Sequence, residues 1–249
     1  IIISSYSGDT EETIQSFETA LDKRAKIVCI SSGGKILTIA RLNKIDHITI
    51  PSGMPPRAAI AYSIIQMFFI LNFFKIINDE FIEDFEQAAK LIKNERKYIE
   101  DEAKKIATIL MGKIPVIYAP VRFEGVATRF RQELNENAKM LGWSNFIPEM
   151  NHNELVGWTQ QNNNLAVIIF TDKEDYVRNL ARVDINKDII KKHAASITEI
   201  YFKGNSAIEK AIYCIHLGDW ISVFLGELRG VDLMEVNVIN HLKSKLSEL

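Results

Sequence analysis

The sequence predicts an α/β protein of doubly wound architecture, made of two compact halves that are each built on a parallel sheet. Three observations lead there. Apolar runs of strand length recur along the chain, and helix-period patterns separate them, the alternation that yields parallel sheets with helices packed on their faces. Between residues 79 and 111 a long helical pattern carries Lys90, Lys93, Glu95, Arg96, Lys97, Glu100, Asp101 and Glu102. Mixed charge of that kind suits a solvated connector between two cores, so the halves are expected at 1–78 and 79–249.

The first strand is read at residues 1–4, where three isoleucines open the chain. Open sheets seldom begin on a central strand at their first residue, so a further upstream segment is expected. A helix at 10–25 follows, then strands at 26–30 and 47–50, then a helix at 57–77. Within that helix residues 58–74 are mostly apolar and approach the ~20 residues that span a bilayer. Ser63, Gln66 and Asn72 interrupt the run, and Arg57 and Lys75 bracket it, so a core helix or a subunit-interface helix is expected instead. The connector at 79–111 leads to a strand at 116–119, a helix at 125–141, a strand at 165–170, a helix at 173–180, a strand at 199–202 and a helix at 208–229. An amphipathic stretch at 235–246 closes the chain, and there is no repeat of solenoid period.

Composition bounds what such a fold can do. With 249 residues, 47% of them hydrophobic and 25% charged, the chain buries real cores and is not intrinsically disordered. Its 30 basic and 32 acidic side chains leave a formal charge of −2, so neither nucleic acid nor an anionic membrane is an expected partner. Two cysteines and five histidines stand in no metal-ligand spacing. No metal and no cofactor is expected, and a reducing cytoplasm fits.

Four places carry residues suited to chemistry. SYSGDT, residues 5–10, lies between the first strand and its helix. Hydroxyls of Ser5, Ser7 and Thr10 beside a helix N-terminus make a phosphate cradle. A second reading stays open, in which Asp9 and Glu12 form a capping box over the same amides, and Asp9, Glu11 and Glu12 would repel a phosphate unless turned away. Arg57 sits at a helix start, where the macrodipole disfavours a cation; it either stabilises a developing anion or makes a surface ion pair. In RFRQELNENAK, residues 129–139, Arg129 can pair with Glu133 at i,i+4, leaving Glu136 the freer carboxylate or merely part of a solvated face. His152, in NHNE after Pro148, lies outside any apolar pattern and is either a surface residue or an acid–base group.

SYSGDTEET after a strand, PPRAA before a helix, QELNENAK, NHNE, and GDWISVFLGELRGVD followed by INHLKSKL stand here in one order. Together they resemble the bifunctional phosphoglucose/phosphomannose isomerase family of the sugar isomerase (SIS) fold, over essentially the whole chain. The resemblance implies two flavodoxin-like SIS subdomains with parallel sheets in three α/β/α layers. The N-terminal one, 1–78, would be incomplete at its start, and 79–249 would hold the linker helix, the C-terminal SIS subdomain and the C-terminal helix. It also implies a cytoplasmic homodimer of carbohydrate metabolism that interconverts glucose 6-phosphate and fructose 6-phosphate through an enediolate, without a cofactor.

By the same resemblance Ser5, Ser7 and Thr10 bind the substrate phosphate, and Glu136 moves a proton between sugar carbons 1 and 2. His152, reaching in from the neighbouring subunit, and Lys243 open the ring, while Arg57 lies near the enediolate. An aldose–ketose isomerase needs such a set: one shuttle base, a cation beside the enediolate oxygens, and an acid–base pair. Three departures stand out. A Gly-Gly-Ser loop that the family carries upstream of SYSG is not present, Asp9 replaces a common asparagine, and VDLMEVN replaces the threonine and proline segment of members that also take mannose 6-phosphate. The alternatives are a non-catalytic SIS module that binds or senses a sugar phosphate, and another SIS enzyme such as an amino-sugar or pentose phosphate isomerase.

Overall fold

The computed structural model describes residues 1–246 and 248. Its contacts divide the chain into two units, Ile1–Phe81 and Ile82–Leu249, and each is a parallel sheet covered by helices.

The first unit runs β1 (Ile2–Ser4), α1 (Glu11–Asp22), β2 (Val28–Ser31), α2 (Gly34–Leu42), β3 (Asp46–Thr49), a 3₁₀ turn at Pro56–Ala59 and α3 (Ile60–Phe73). Its strands are parallel in the order β1-β2-β3, with Ile3 beside Cys29 and Cys29 beside His47. Strand periodicity sends Ile3 and Cys29 to one face, where they pack with Phe17 and Ala20 of α1 and Ile36 and Ala40 of α2. Ile30 and Ile50 point the other way and meet Ile70 and Met67 of α3. Burial pushes the Cys29 thiol up to about 11, so at neutral pH it is a packing group and not a nucleophile.

α3 departs from one expectation. Of the 3₁₀ turn and α3 together only Ala59 and Ile70 are buried, and Phe73 is 76% exposed. Only its Ile70 and Met67 stripe joins a core, so it is not a core helix along its length, although the segment Pro56–Phe73 is apolar enough and long enough to cross a membrane. Ala207–Arg229 passes the same test, but Tyr213, Cys214, Leu217, Ile221 and Leu225 along it are buried in the core of the second unit.

That unit continues with α4 (Glu80–Leu110), β4 (Ile114–Pro120), α5 (Glu124–Glu136), β5 (Trp143–Ile147), β6 (Asn162–Thr171), α6 (Val177–Ile190), β7 (Ala194–Tyr201), α7 (Ala207–Arg229) and α8 (Asn237–Leu246). All four strands are parallel in the order β5-β4-β6-β7. Ile117, Ala119, Ile168 and Phe170 face α4, α5 and α7, while Val116, Tyr118, Val167 and Ile169 face α6. Three α/β/α layers result. α4 is more than a solvated connector: Arg96–Glu100 (2.8 Å) and Lys97–Asp101 (3.2 Å) pair on its outer side, while Ile99, Ala103, Ile106 and Leu110 belong to the core.

A polar cluster crosses from β6 to β7 at the sheet edge. Glu199 accepts hydrogen bonds from Thr171 Oγ1 (2.7 Å), Lys187 Nζ (3.0 Å) and the Tyr201 hydroxyl (2.8 Å). Burial alone would raise the Glu199 carboxyl; the three hydrogen bonds and the lysine charge outweigh it and hold the group below its ordinary value. A depressed carboxyl contributes stability that is present above its unfolded value, near 4.5, and lost as pH falls through the lower folded value. Glu199→Gln is accordingly expected to lower the urea midpoint at neutral pH, with the gap from the parent chain narrowing as pH falls below 4.5; a series of unfolding curves from neutral to acid pH checks it.

Candidate active site

The loops that leave the carboxyl ends of β1, β2 and β3 are tied together by hydrogen bonds. Tyr6 is their hub: its carbonyl oxygen accepts from the Ser32 amide (2.9 Å) and Ser32 Oγ (2.6 Å), and its hydroxyl accepts from the Met54 amide (3.1 Å). Met54 stands three residues before Arg57, which lies half-buried in the Pro56–Ala59 turn. Ser5 is buried and shares a 2.9 Å hydrogen bond with the Thr10 hydroxyl, while Ser7 and Thr10 are exposed. Ser5 Oγ also accepts from the Gly8 amide and Ser7 Oγ from the Asp9 amide, each at 3.2 Å. The three hydroxyls predicted from sequence thus line one tight turn ahead of α1.

The capping-box reading fails on this geometry. The N-cap of α1 is Thr10, with no side-chain cap hydrogen bond, so Asp9 falls one residue outside the helix. Asp9 Oδ1 instead accepts from the Lys35 amide at 2.9 Å, in the first turn of α2. Its carboxylate is engaged by a different helix, while Glu11 and Glu12 stand in the first turn of α1. A box of the kind expected at residues 9–12 does form at α7, between Ser206 and Glu209.

Gly8 makes this arrangement possible. Its φ is +77°, and a Cβ there would lie 1.9 Å from the Gly33 carbonyl oxygen. The second loop, SSGGK at residues 31–35, escaped the sequence reading although it has the same strand-to-helix setting and two glycines. That setting was the signal available.

In the second unit α5 ends on Glu136. Glu133, one turn earlier, is buried and pairs with Arg129 at 3.1 Å, and Arg129 also reaches Asp219 at 2.9 Å. Asn137 donates from Nδ2 to Glu133 Oε2 (3.0 Å) and to Ser222 Oγ (2.9 Å). Glu133 is therefore a structural carboxylate. Glu136 is part-exposed and lines a cavity of about 380 Å³ with Asn135, Lys139, Met140, Glu235 and Val236. His152 is exposed on a 3₁₀ turn, Glu149–His152, and Lys243 is exposed on α8; neither lines that cavity.

Glu154 holds the His152 segment in place. It accepts from the Tyr118 hydroxyl (2.5 Å), Trp143 Nε1 (2.7 Å) and Asn145 Nδ2 (2.7 Å), and Trp158 Nε1 donates to the Tyr118 oxygen at 3.1 Å. Burial first, then the Glu154 carboxylate, drive the Tyr118 hydroxyl far above its ordinary value, so it remains a donor. Among the described residues no group of three or more His, Cys, Asp or Glu side chains could hold a metal ion.

Two parallel α/β units, with a hydroxyl-rich turn leaving the first strand, place the molecule in the class of SIS-fold proteins, and comparison with known proteins narrows the class. A family model described as the bacterial phospho-glucose isomerase C-terminal SIS domain matches residues 99–246. The bifunctional phosphoglucose/phosphomannose isomerase of Caldicellulosiruptor bescii is 36% identical, over 100% of this chain and 76% of its own. The enzyme of that name from Aquifex aeolicus is 33% identical, over 98% of this chain and 75% of its own. A solved glucose-6-phosphate isomerase like protein from Thermus thermophilus superposes with a TM-score of 0.66 at 18% identity, covering 96% of this chain and 75% of that one. The chain belongs to the bifunctional phosphoglucose/phosphomannose isomerase family.

Gly8→Ala tests the interlocked turns. Left-handed strain and the close carbonyl together should cost more than about 2 kcal/mol, read as a lowered midpoint in equilibrium denaturation.

Proposed function

We propose that this chain interconverts glucose 6-phosphate and fructose 6-phosphate, with mannose 6-phosphate as the epimeric aldose, by proton transfer through an enediolate. The observation that carries the reading is the turn at residues 5–10. Ser5, Ser7 and Thr10 present hydroxyls ahead of a helix whose N-cap side chain is engaged elsewhere, and Asp9 is turned onto α2. Hydroxyls and uncapped amides at a helix start favour a phosphate dianion. The relatives' names supply the sugar.

Each remaining residue has a role the reaction requires. His152 and Lys243 act as the acid–base pair that opens the ring, moving a proton between the ring oxygen and the hydroxyl on the anomeric carbon. Glu136 takes the proton from carbon 2 of the open aldose and returns it to carbon 1, while the hydroxyl proton passes from oxygen 2 to oxygen 1. Arg57 offsets the charge that develops on those oxygens. Binding energy from the phosphate, remote from the reacting carbons, positions the sugar for transfer. Glu133 is unsuited to the base role because Arg129 engages it in a buried pair.

The protein works in this reading as a cytoplasmic homodimer in glycolysis and gluconeogenesis, with His152 contributed to the partner's site. The exposed apolar side chains of the α3 region, Phe69, Phe73, Phe74 and Ile76, supply the contact surface, since bare patches of that kind mark an interface.

Glu136→Gln should keep fructose 6-phosphate binding within about threefold and lower turnover by about three orders of magnitude or more. A coupled assay beside isothermal titration reads both, and near-parent turnover would take Glu136 out of the role. Phe73→Glu should convert the dimer to monomer in sedimentation velocity at micromolar concentration, whereas an unshifted dimer would place the contact elsewhere.

A further inference from the structure

We infer that Lys139 is a positioning residue which fastens the end of α5, bearing Glu136, to the segment that leads into α8, bearing Lys243. Its Nζ donates to the carbonyl oxygens of Glu136 and of Glu235, 2.6 Å in each case. The first bond alone would be ordinary: a cation after a helix satisfies terminal carbonyls, and α5 has no basic residue in its last turn. The second bond reaches across 96 residues of sequence and has no helix-capping explanation.

What the two bonds join differs sharply in firmness. The α5 end is fixed by other means as well: Asn137 is held between Glu133 and Ser222, and α7 approaches so closely that a Cβ on Gly226 would lie 2.8 Å from the Asn137 carbonyl oxygen; the segment leading into α8 touches the same glycine through Leu233. All ten residues of α8 are exposed, Val238 by 82%. A helix with so little burial is held by its attachments, and local opening is correspondingly easy. The cavity beside Glu136 is bounded by both sides of the junction, Met140 on one and Val236 and Ile239 on the other. Lys139, itself left-handed with φ 53°, spans it with hydrogen bonds to both sides.

The inference rests on the proposed roles of Glu136 and Lys243, and its test separates the two. Lys139→Met and Lys139→Arg are compared with the parent chain for kcat and KM on fructose 6-phosphate, for thermal midpoint, and for amide hydrogen exchange over residues 235–246. In Lys139→Met exchange should quicken about tenfold across that segment. Its kcat should fall at least about tenfold, since misplacement by about an ångström costs on the order of a hundredfold, with KM within about threefold. Lys139→Arg, which keeps charge and donors, should recover most of both. Lys139→Gln stands in for the methionine variant if that one fails to fold. Unchanged exchange overturns the tether whatever the activity, and faster exchange at parent kcat overturns the positioning role. A parent chain without turnover refutes the proposed reaction, and exchange alone then decides for or against the tether.

Discussion

The first unit is organised around the contact of two strand-to-helix turns, the one after β1 and the one after β2. Gly8 lies against the Gly33 carbonyl, the Ile36 amide donates to the Gly8 oxygen at 3.0 Å, and Asp9 caps α2. These bonds satisfy the amides at the start of α2, while the start of α1 carries no side-chain cap. The hydroxyls of Ser5, Ser7 and Thr10 are held ahead of that start as a consequence of packing, before any ligand is considered. Tyr6 extends the arrangement to the loop that carries Arg57.

The second unit places its polar groups by a different device, connected side-chain networks. Arg129, Glu133, Asn137, Ser222 and Asp219 form one connected set between α5 and α7. Glu154 gathers donors from β4 and β5 in the same way. Glu133, the buried carboxylate of the first set, would be strongly destabilising without its partners, and Glu136 stands at the helix end beside that set.

Much of this was legible in the sequence, and the failures have physical causes. The alternation of runs gave the architecture, and the i,i+4 spacing gave the Arg129–Glu133 pair that the structure contains. No helix is expected from sequence where α2 stands; two glycines in a row weaken a helical pattern, whereas Gly33 and Gly34 are the N-cap and first residue of that helix. β5 was missed because it is the edge of its sheet, and WSNFI carries Ser144 and Asn145 where a central strand would be apolar. α6 extends to Ile190, well past residue 180, since Val183 and Ile190 alone are its buried apolar positions and their seven-residue spacing is a thin signal. The destination of the Asp9 carboxylate, like the reach of Lys139 to Glu235, is a long-range contact, and no local pattern encodes it.

The bare aromatic face of α3 has a consequence for how the chain is handled while it is being made. A newly released copy carries Phe69, Phe73, Phe74 and Ile76 in water until something covers them, so its persistence depends on how soon an encounter occurs. In the proposed homodimer, apparent stability rises with the amount of protein present. Dilute expression would leave the greater share of molecules to holdases and proteases.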